Sequence, residues 1–144
     1  MNGIAEPNSM NRLTVKASID NLNDALDFVN ENLERRNCRM VLRHQIDIAV
    51  EEIFMNIANY AYKPASGNVA ICVSAGKEIV IRFEDAGKPY NPLEQAAPDL
   101  DKPLMERKIG GLGVFMARQF MDKIEYSRIG NKNVLIMTKN IEAV

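Results

Sequence analysis

Three groups of residues have types and spacings suited to chemistry. The first lies in Glu51-Glu52-Ile53-Phe54-Met55-Asn56. On a helix, residues four apart stand only about 40° apart around the axis, so Glu52 and Asn56 share a polar strip, while Glu51 projects about 100° away. A carboxylate and a carboxamide are thereby aligned, although the same spacing also suits a solvated helix flank. The second group is Glu84-Asp85-Ala86-Gly87-Lys88-Pro89. A carboxylate at a strand end accepts a hydrogen bond from a ligand amino group, and a glycine two residues later permits positive φ and close ligand approach; Asp-x-Gly is equally a common turn. The third is Ile109-Gly110-Gly111-Leu112-Gly113 at a helix start. There the glycines bare backbone N–H groups to an anion, and the aligned peptide dipoles favour phosphate. No Gly-Lys-Ser/Thr follows, and the run does not match the dinucleotide pattern Gly-x-Gly-x-x-Gly.

The surrounding periodicities predict what holds these groups. Glu52 and Asn56 fall in a helix from about Val41 to Tyr62, whose core face is Leu42, Ile46, Ala49, Val50, Ile53, Ile57 and Tyr60 and which stops before Lys63-Pro64-Ala65-Ser66-Gly67. Asp85 follows a hairpin in which Val69, Ile71, Val73 and then Ile79, Ile81, Phe83 alternate about Gly76-Lys77. From Asp85 to Ile109 run about 25 residues with Pro89, Pro92, Pro98 and Pro103, a length typical of a lid or binding segment. The third group opens a helix, Leu112 to Met121, and Ile124, Tyr126 and Val134 to Met137 close the chain as a hairpin about Gly130-Asn131-Lys132. Upstream, residues 1–10 read as a flexible leader, Leu13 and Val15 as a short strand, and Ser18 as a turn. Asp20 is placed to cap a helix with the stripe Leu22, Leu26, Val29, Leu33, ending near Arg36. The order β-α-α-β-β-lid-α-β-β predicts one α+β domain over 11–144, a two-layer sandwich whose mixed, mostly antiparallel sheet carries its helices on one face.

Composition narrows the function. At 144 residues, 47% hydrophobic and 26% charged, the chain suffices for one buried core. Eighteen Lys plus Arg against nineteen Asp plus Glu leave a formal charge of −1, so no global field draws the protein to nucleic acid or an anionic membrane. No apolar run approaches the roughly 18 to 20 residues of a membrane span, and Met1 to Met10 lacks the regions of a signal peptide, so a cytoplasmic location is expected. Cys38, Cys72 and the lone His44 form no conventional zinc site, and reduced, structural thiols are expected.

In this order the three groups are far more specific than any one alone. Glu52 to Asn56 resembles the N box, Asp85-Ala86-Gly87 the first glycine box and Gly111-Leu112-Gly113 the second glycine box of the GHKL ATP-binding superfamily. Within it, EEIFMNIANYAY (51–62), EDAGKPYNP (84–92) and GGLGVFMARQFMDKIEY (110–126) are most similar to the anti-sigma-factor serine kinases, and the resemblance spans about residues 11–140. It implies the Bergerat (GHKL) sandwich and a site for ATP or ADP with Mg²⁺. By it, Asn56 is the Mg²⁺ ligand, Glu52 the general base, Asp85 the acceptor for the adenine amino group and Gly87 the point of close backbone approach. Gly110, Gly111, Leu112 and Gly113 would present the backbone to the phosphates beneath the lid 85–109. Arg107 and Lys108 would bring positive charge to the triphosphate, or else serve as solvated lid residues. Two positions depart from the family's pattern: Tyr60, where His or Arg is frequent, and Asn133-Val134, where Gly-Thr is common.

The implied activity is phosphorylation of a serine on a STAS-type anti-sigma antagonist, coupled to sequestration of a sigma factor in a partner switch, by a homodimer. The alternative is a nucleotide-dependent sigma-factor binding module without significant kinase activity. A sensor histidine-kinase catalytic domain would need a helical dimerisation domain bearing a phospho-acceptor histidine, which the sequence is not expected to supply.

Overall fold

A computed structural model of the chain describes residues 10–62, 66–94 and 111–142. In chain order these form β1 (Asn11–Lys16), a 3₁₀ turn (Ile19–Asn21), α1 (Leu22–Glu34), α2 (Met40–Asn56) with a π-helical extension (Ile57–Ala61), β2 (Asn68–Ala75) and β3 (Glu78–Asp85). A 3₁₀ turn (Pro92–Glu94), α3 (Gly111–Phe120), β4 (Lys123–Ile129) and β5 (Lys132–Asn140) follow. Leader residues 1–9 and lid residues 95–109 lie outside the described residues. Met10, the last residue assigned to the leader, packs against Cys72 and Val80 and is buried.

The five strands form one sheet in the order β1-β2-β3-β5-β4. All four pairings are antiparallel, so the parallel component of the expected mixed sheet is absent among the described strands. Strand β5 inserts between β3 and β4, and this brings Asp85 opposite Asn133. One face of the sheet, including Ile71, Phe83 and Leu135 in register, meets Val29 and Leu33 of α1, Ile46, Val50 and Ile53 of α2 and Ala117 of α3 in a single core. Phe83 and Ile53 are almost fully buried, each such side chain contributing about 1.5 to 3 kcal/mol. The helices thus cover one face, as expected of the two-layer sandwich. Among the described residues no helix is long and apolar enough to cross a membrane.

Three local expectations are corrected. Asp20 does not cap α1: Ser18 caps the 3₁₀ turn that precedes the helix, its Oγ accepting from Asp20 N at 3.3 Å, and Asn21 stands at the N-cap of α1 without a side-chain cap bond. Tyr60 leaves the core face and is 43% exposed, with Ala61 buried in its place. The wider π-helical winding turns each residue by less than the ~100° of an α-helix, so the apolar phase shifts over the last turn. Phe54, outside the predicted stripe, is fully buried. The final hairpin turns through Gly130, whose φ of 59° is a conformation that glycine adopts without a Cβ penalty.

Candidate functional site

The α-helical part of α2 ends at Asn56, and the buried Asn56 side chain is tied back onto Glu52. Its Nδ2 donates to the Glu52 carbonyl at 2.7 Å and to Glu52 Oε1 at 2.8 Å. The helical spacing thus produces a direct contact between carboxylate and carboxamide, with Asn56 Oδ1 as the end of the amide that is not used in it. Tyr90 Oη donates to that Oδ1 at 3.1 Å, and the Tyr90 ring lies 5.3 Å from that of Tyr60. Glu51 is exposed on the neighbouring flank.

Helix α3 begins at Gly111, so the N–H groups of Gly111, Leu112 and Gly113 fall in its first turn, where no intrahelical acceptor exists. The helix packs on α2 at Gly113: a Cβ there would overlap the Glu52 carboxylate. Glu52 therefore sits between the metal-type donor Asn56 and a helix start suited to anions. Gly110, Arg107 and Lys108 lie outside the described residues.

At the other end, Asp85 closes β3. Its Oδ1 accepts from Gly87 N and from Asn133 Nδ2, both at 2.9 Å. Gly87 is required by its own surroundings, since a Cβ would collide with the backbone of Ala61, whose carbonyl accepts from Lys88 N at 2.9 Å. Arg128 Nη1 donates to the Gly87 carbonyl at 2.8 Å and fixes the same loop from β4. Tyr62 completes the frame, accepting from Ala86 N at 2.8 Å and donating to the Asn68 carbonyl at 2.6 Å.

Between these ends lie two spaces. A narrow cavity of about 10 Å³, room for about one water, is walled by Ile53, Ile57, Phe83 and Leu135, with Asp85, Asn133 and the rings of Tyr90 and Tyr126 beside them. Apolar walls with one carboxylate acceptor suit an aromatic heterocycle bearing an amino group once the walls part to admit it. A more open groove of about 300 Å³ runs along the outer flank of α2, past Glu51, Glu52, Met55 and Asn56. Tyr90 lines the cavity and Asn56 the groove, so their hydrogen bond marks the boundary between the two.

Burial raises the proton affinity of both carboxylates. For Glu52, desolvation outweighs the Asn56 hydrogen bond, and the neighbouring Glu51 charge adds to the upward shift. For Asp85, desolvation exceeds the lowering effects of Asn133, Gly87 and Arg128.

Among the described residues no group of three or more His, Cys, Asp or Glu side chains could hold a metal ion alone. The donor set fits Mg²⁺ in a different way. Magnesium is commonly held by one or two protein oxygens together with substrate phosphates, and the anchored amide of Asn56 offers one hard oxygen beside the groove.

Sequence reasoning did not select Tyr90 as a site residue and noted Asn133 only as a departure. Asn133 is buried and uses its whole amide: Nδ2 donates to Asp85 Oδ1 and to the Lys88 carbonyl, while Oδ1 accepts from Tyr90 N at 3.1 Å and Tyr126 Oη at 2.5 Å. Placing β5 beside β3 would have paired it with Asp85.

The family model of the histidine kinase-like ATPase domain matches residues 15–139. The chain is similar to serine/threonine-protein kinase BtrW of Bordetella bronchiseptica, with 27% identity over 120 residues, 81% of this chain and 84% of that protein. It is similar also to the anti-sigma F factor of a Thermoanaerobacter species, with 31% identity over 98 residues, 67% of this chain and 68% of the relative. Among solved structures, a histidine kinase domain from the blue-light activated histidine kinase of Erythrobacter litoralis aligns with a TM-score of 0.50 at 19% identity. That alignment covers 69% of this chain and 45% of the other, so the chain spans less than half of that structure and the likeness is one of fold.

Proposed function

The chain belongs to the histidine kinase-like ATPase family, and from that premise we propose that it is a protein serine kinase of the anti-sigma-factor type. On this reading it binds Mg-ATP, transfers the γ-phosphoryl group to a serine of a STAS-type antagonist, and sequesters a sigma factor when that antagonist is phosphorylated. Nucleotide binding follows from the family. The kinase and anti-sigma roles are supported by the relatives so named.

The observation that carries the proposal is the convergence at Glu52, where Asn56 Nδ2 holds one carboxylate oxygen at 2.8 Å and Gly113 packs α3 against the same carboxylate. Asp85 accepts the adenine amino group at the far end of the cavity, and Gly87 keeps the loop close to Ala61. The N–H groups of Gly111, Leu112 and Gly113 face the phosphates, with Arg107 and Lys108 adding charge from the lid. Asn56 offers Oδ1 to the metal, and when bound the metal neutralises charge on the phosphates. Glu52 orients the attacking serine and takes its proton as the Oγ–P bond forms and ADP departs; burial has already raised its affinity for that proton.

The test is capture of partners from the native cell with and without ADP, followed by phosphoserine mapping after addition of Mg-ATP. We expect a nucleotide-dependent partner set including a STAS protein that gains phosphoserine only with active kinase. Capture of a sigma factor with no serine phosphorylated would reduce the protein to a nucleotide-dependent binding module.

A further inference from the structure

We propose that Tyr90 is a gate between the base cavity and the phosphate groove, its phenol holding Asn56 Oδ1 until a nucleotide displaces it. The proposal rests on the nucleotide reading above. A nucleotide with its base against Asp85 and its phosphates beside Asn56 must reach from the cavity into the groove. The Tyr90 side chain crosses that path: its backbone N donates to Asn133 Oδ1 at the base end, and its Oη donates to Asn56 Oδ1 at the phosphate end.

The Asn56 amide does not require this bond for its orientation, because Nδ2 is already anchored twice on Glu52. Among the described residues the phenol is the group that bonds the oxygen which would face a metal ion, and Asn56 is only 3% exposed. An ion carrying water and phosphate ligands needs that oxygen uncovered. Tyr90 lies outside the regular elements, between β3 and the Pro92–Glu94 turn, and its ring stands beside Tyr60, which is exposed to solvent. The closed arrangement then lowers the apparent nucleotide affinity by the fraction of molecules in the open one.

Tyr90→Phe keeps the ring and the backbone bond to Asn133 but removes the O–H. The experiment is calorimetric titration of wild type and Tyr90→Phe with Mg-ADP and, separately, with adenosine, which needs only the base cavity. We expect Tyr90→Phe to bind Mg-ADP about three- to tenfold more tightly, the worth of one hydrogen bond, with adenosine affinity changed less than about twofold. Unchanged or weaker Mg-ADP binding would overturn the gate, as would an equal gain for adenosine, which would mean a looser cavity. Wild type that binds neither ligand would defeat the nucleotide reading itself. A second measurement needs no variant. The chain has four tyrosines and no tryptophan, so tyrosine emission can be followed directly. It should change when Mg-ADP saturates the wild type, and constant emission would contradict the release of Tyr90.

Discussion

Asn133 donates its Nδ2–H to Asp85 Oδ1 at 2.9 Å across the β3–β5 pair, and Gly87 N donates to the same oxygen at the same distance. Among the described residues both bonds fall on Oδ1, so on our reading Oδ2 accepts from the adenine amino group. Asp85→Asn keeps one carbonyl acceptor for Asn133 and Gly87 but turns an amide donor toward the base. We expect a loss of about 1 to 3 kcal/mol in nucleotide binding by calorimetry, the cost of a mispaired buried group.

Removing Asn133 strips the same network from the other side. In Asn133→Ala, the buried Asp85 carboxylate, the Lys88 carbonyl, the Tyr90 N–H and the Tyr126 hydroxyl each lose a partner. Urea unfolding should show a stability loss of about 1 to 3 kcal/mol with nucleotide absent. A change within experimental error would show that Asn133 is dispensable to the frame that holds Asp85.

Gly113→Ala places a methyl group where Glu52 carries its carboxylate. The carboxylate is the flexible end of a side chain, so it should swing aside and lose its bond to Asn56, while the helices remain packed. We expect phosphoryl transfer to fall about 10²-fold, the effect of an ångström-scale displacement at a reacting centre, with the melting temperature little altered.

The raised proton affinity of Glu52 sets the sign of a pH effect. A carboxyl group whose folded pKa lies above its unfolded value contributes stability that is fully present below the unfolded pKa and is lost as pH rises through the folded one. Glu52→Gln does not titrate and retains an oxygen acceptor for Asn56. Its melting temperature relative to wild type should therefore be highest near neutral pH and should decline as pH falls through the carboxylate range. Asp85 is present in both proteins and cancels from the comparison. A relative stability that rose on acidification would contradict the burial account of Glu52.

What the sequence disclosed follows the range over which each signal acts. The alignment of Glu52 with Asn56 is a property of four consecutive helical steps, and the hairpin β2–β3 is a property of alternation about Gly76, so both were legible locally. The partnership of Asp85 with Asn133 joins residues 48 apart through the insertion of β5 between β3 and β4, which no local pattern encodes. Tyr90 lay hidden in a Pro-rich stretch without periodicity, where an aromatic residue gives no sign of what it touches. The exposure of Tyr60 depends on π-helical winding that an α-helical wheel does not contain. Arg107, Lys108 and Gly110, which the resemblance assigns to the phosphates, lie outside the described residues.

The central claim is that Glu52, and not Glu51, serves as the base for phosphoryl transfer. The most direct measurement is the rate of radiolabelled phosphate transfer from saturating Mg-ATP to the cognate STAS protein by wild type, Glu52→Gln and Glu51→Gln, with Mg-ADP affinity measured in parallel. We predict that Glu52→Gln keeps its nucleotide affinity but transfers about 10² to 10⁴ times more slowly, whereas the exposed Glu51→Gln stays within about threefold of wild type. Equal transfer by wild type and Glu52→Gln, or a large defect confined to Glu51→Gln, would contradict the account.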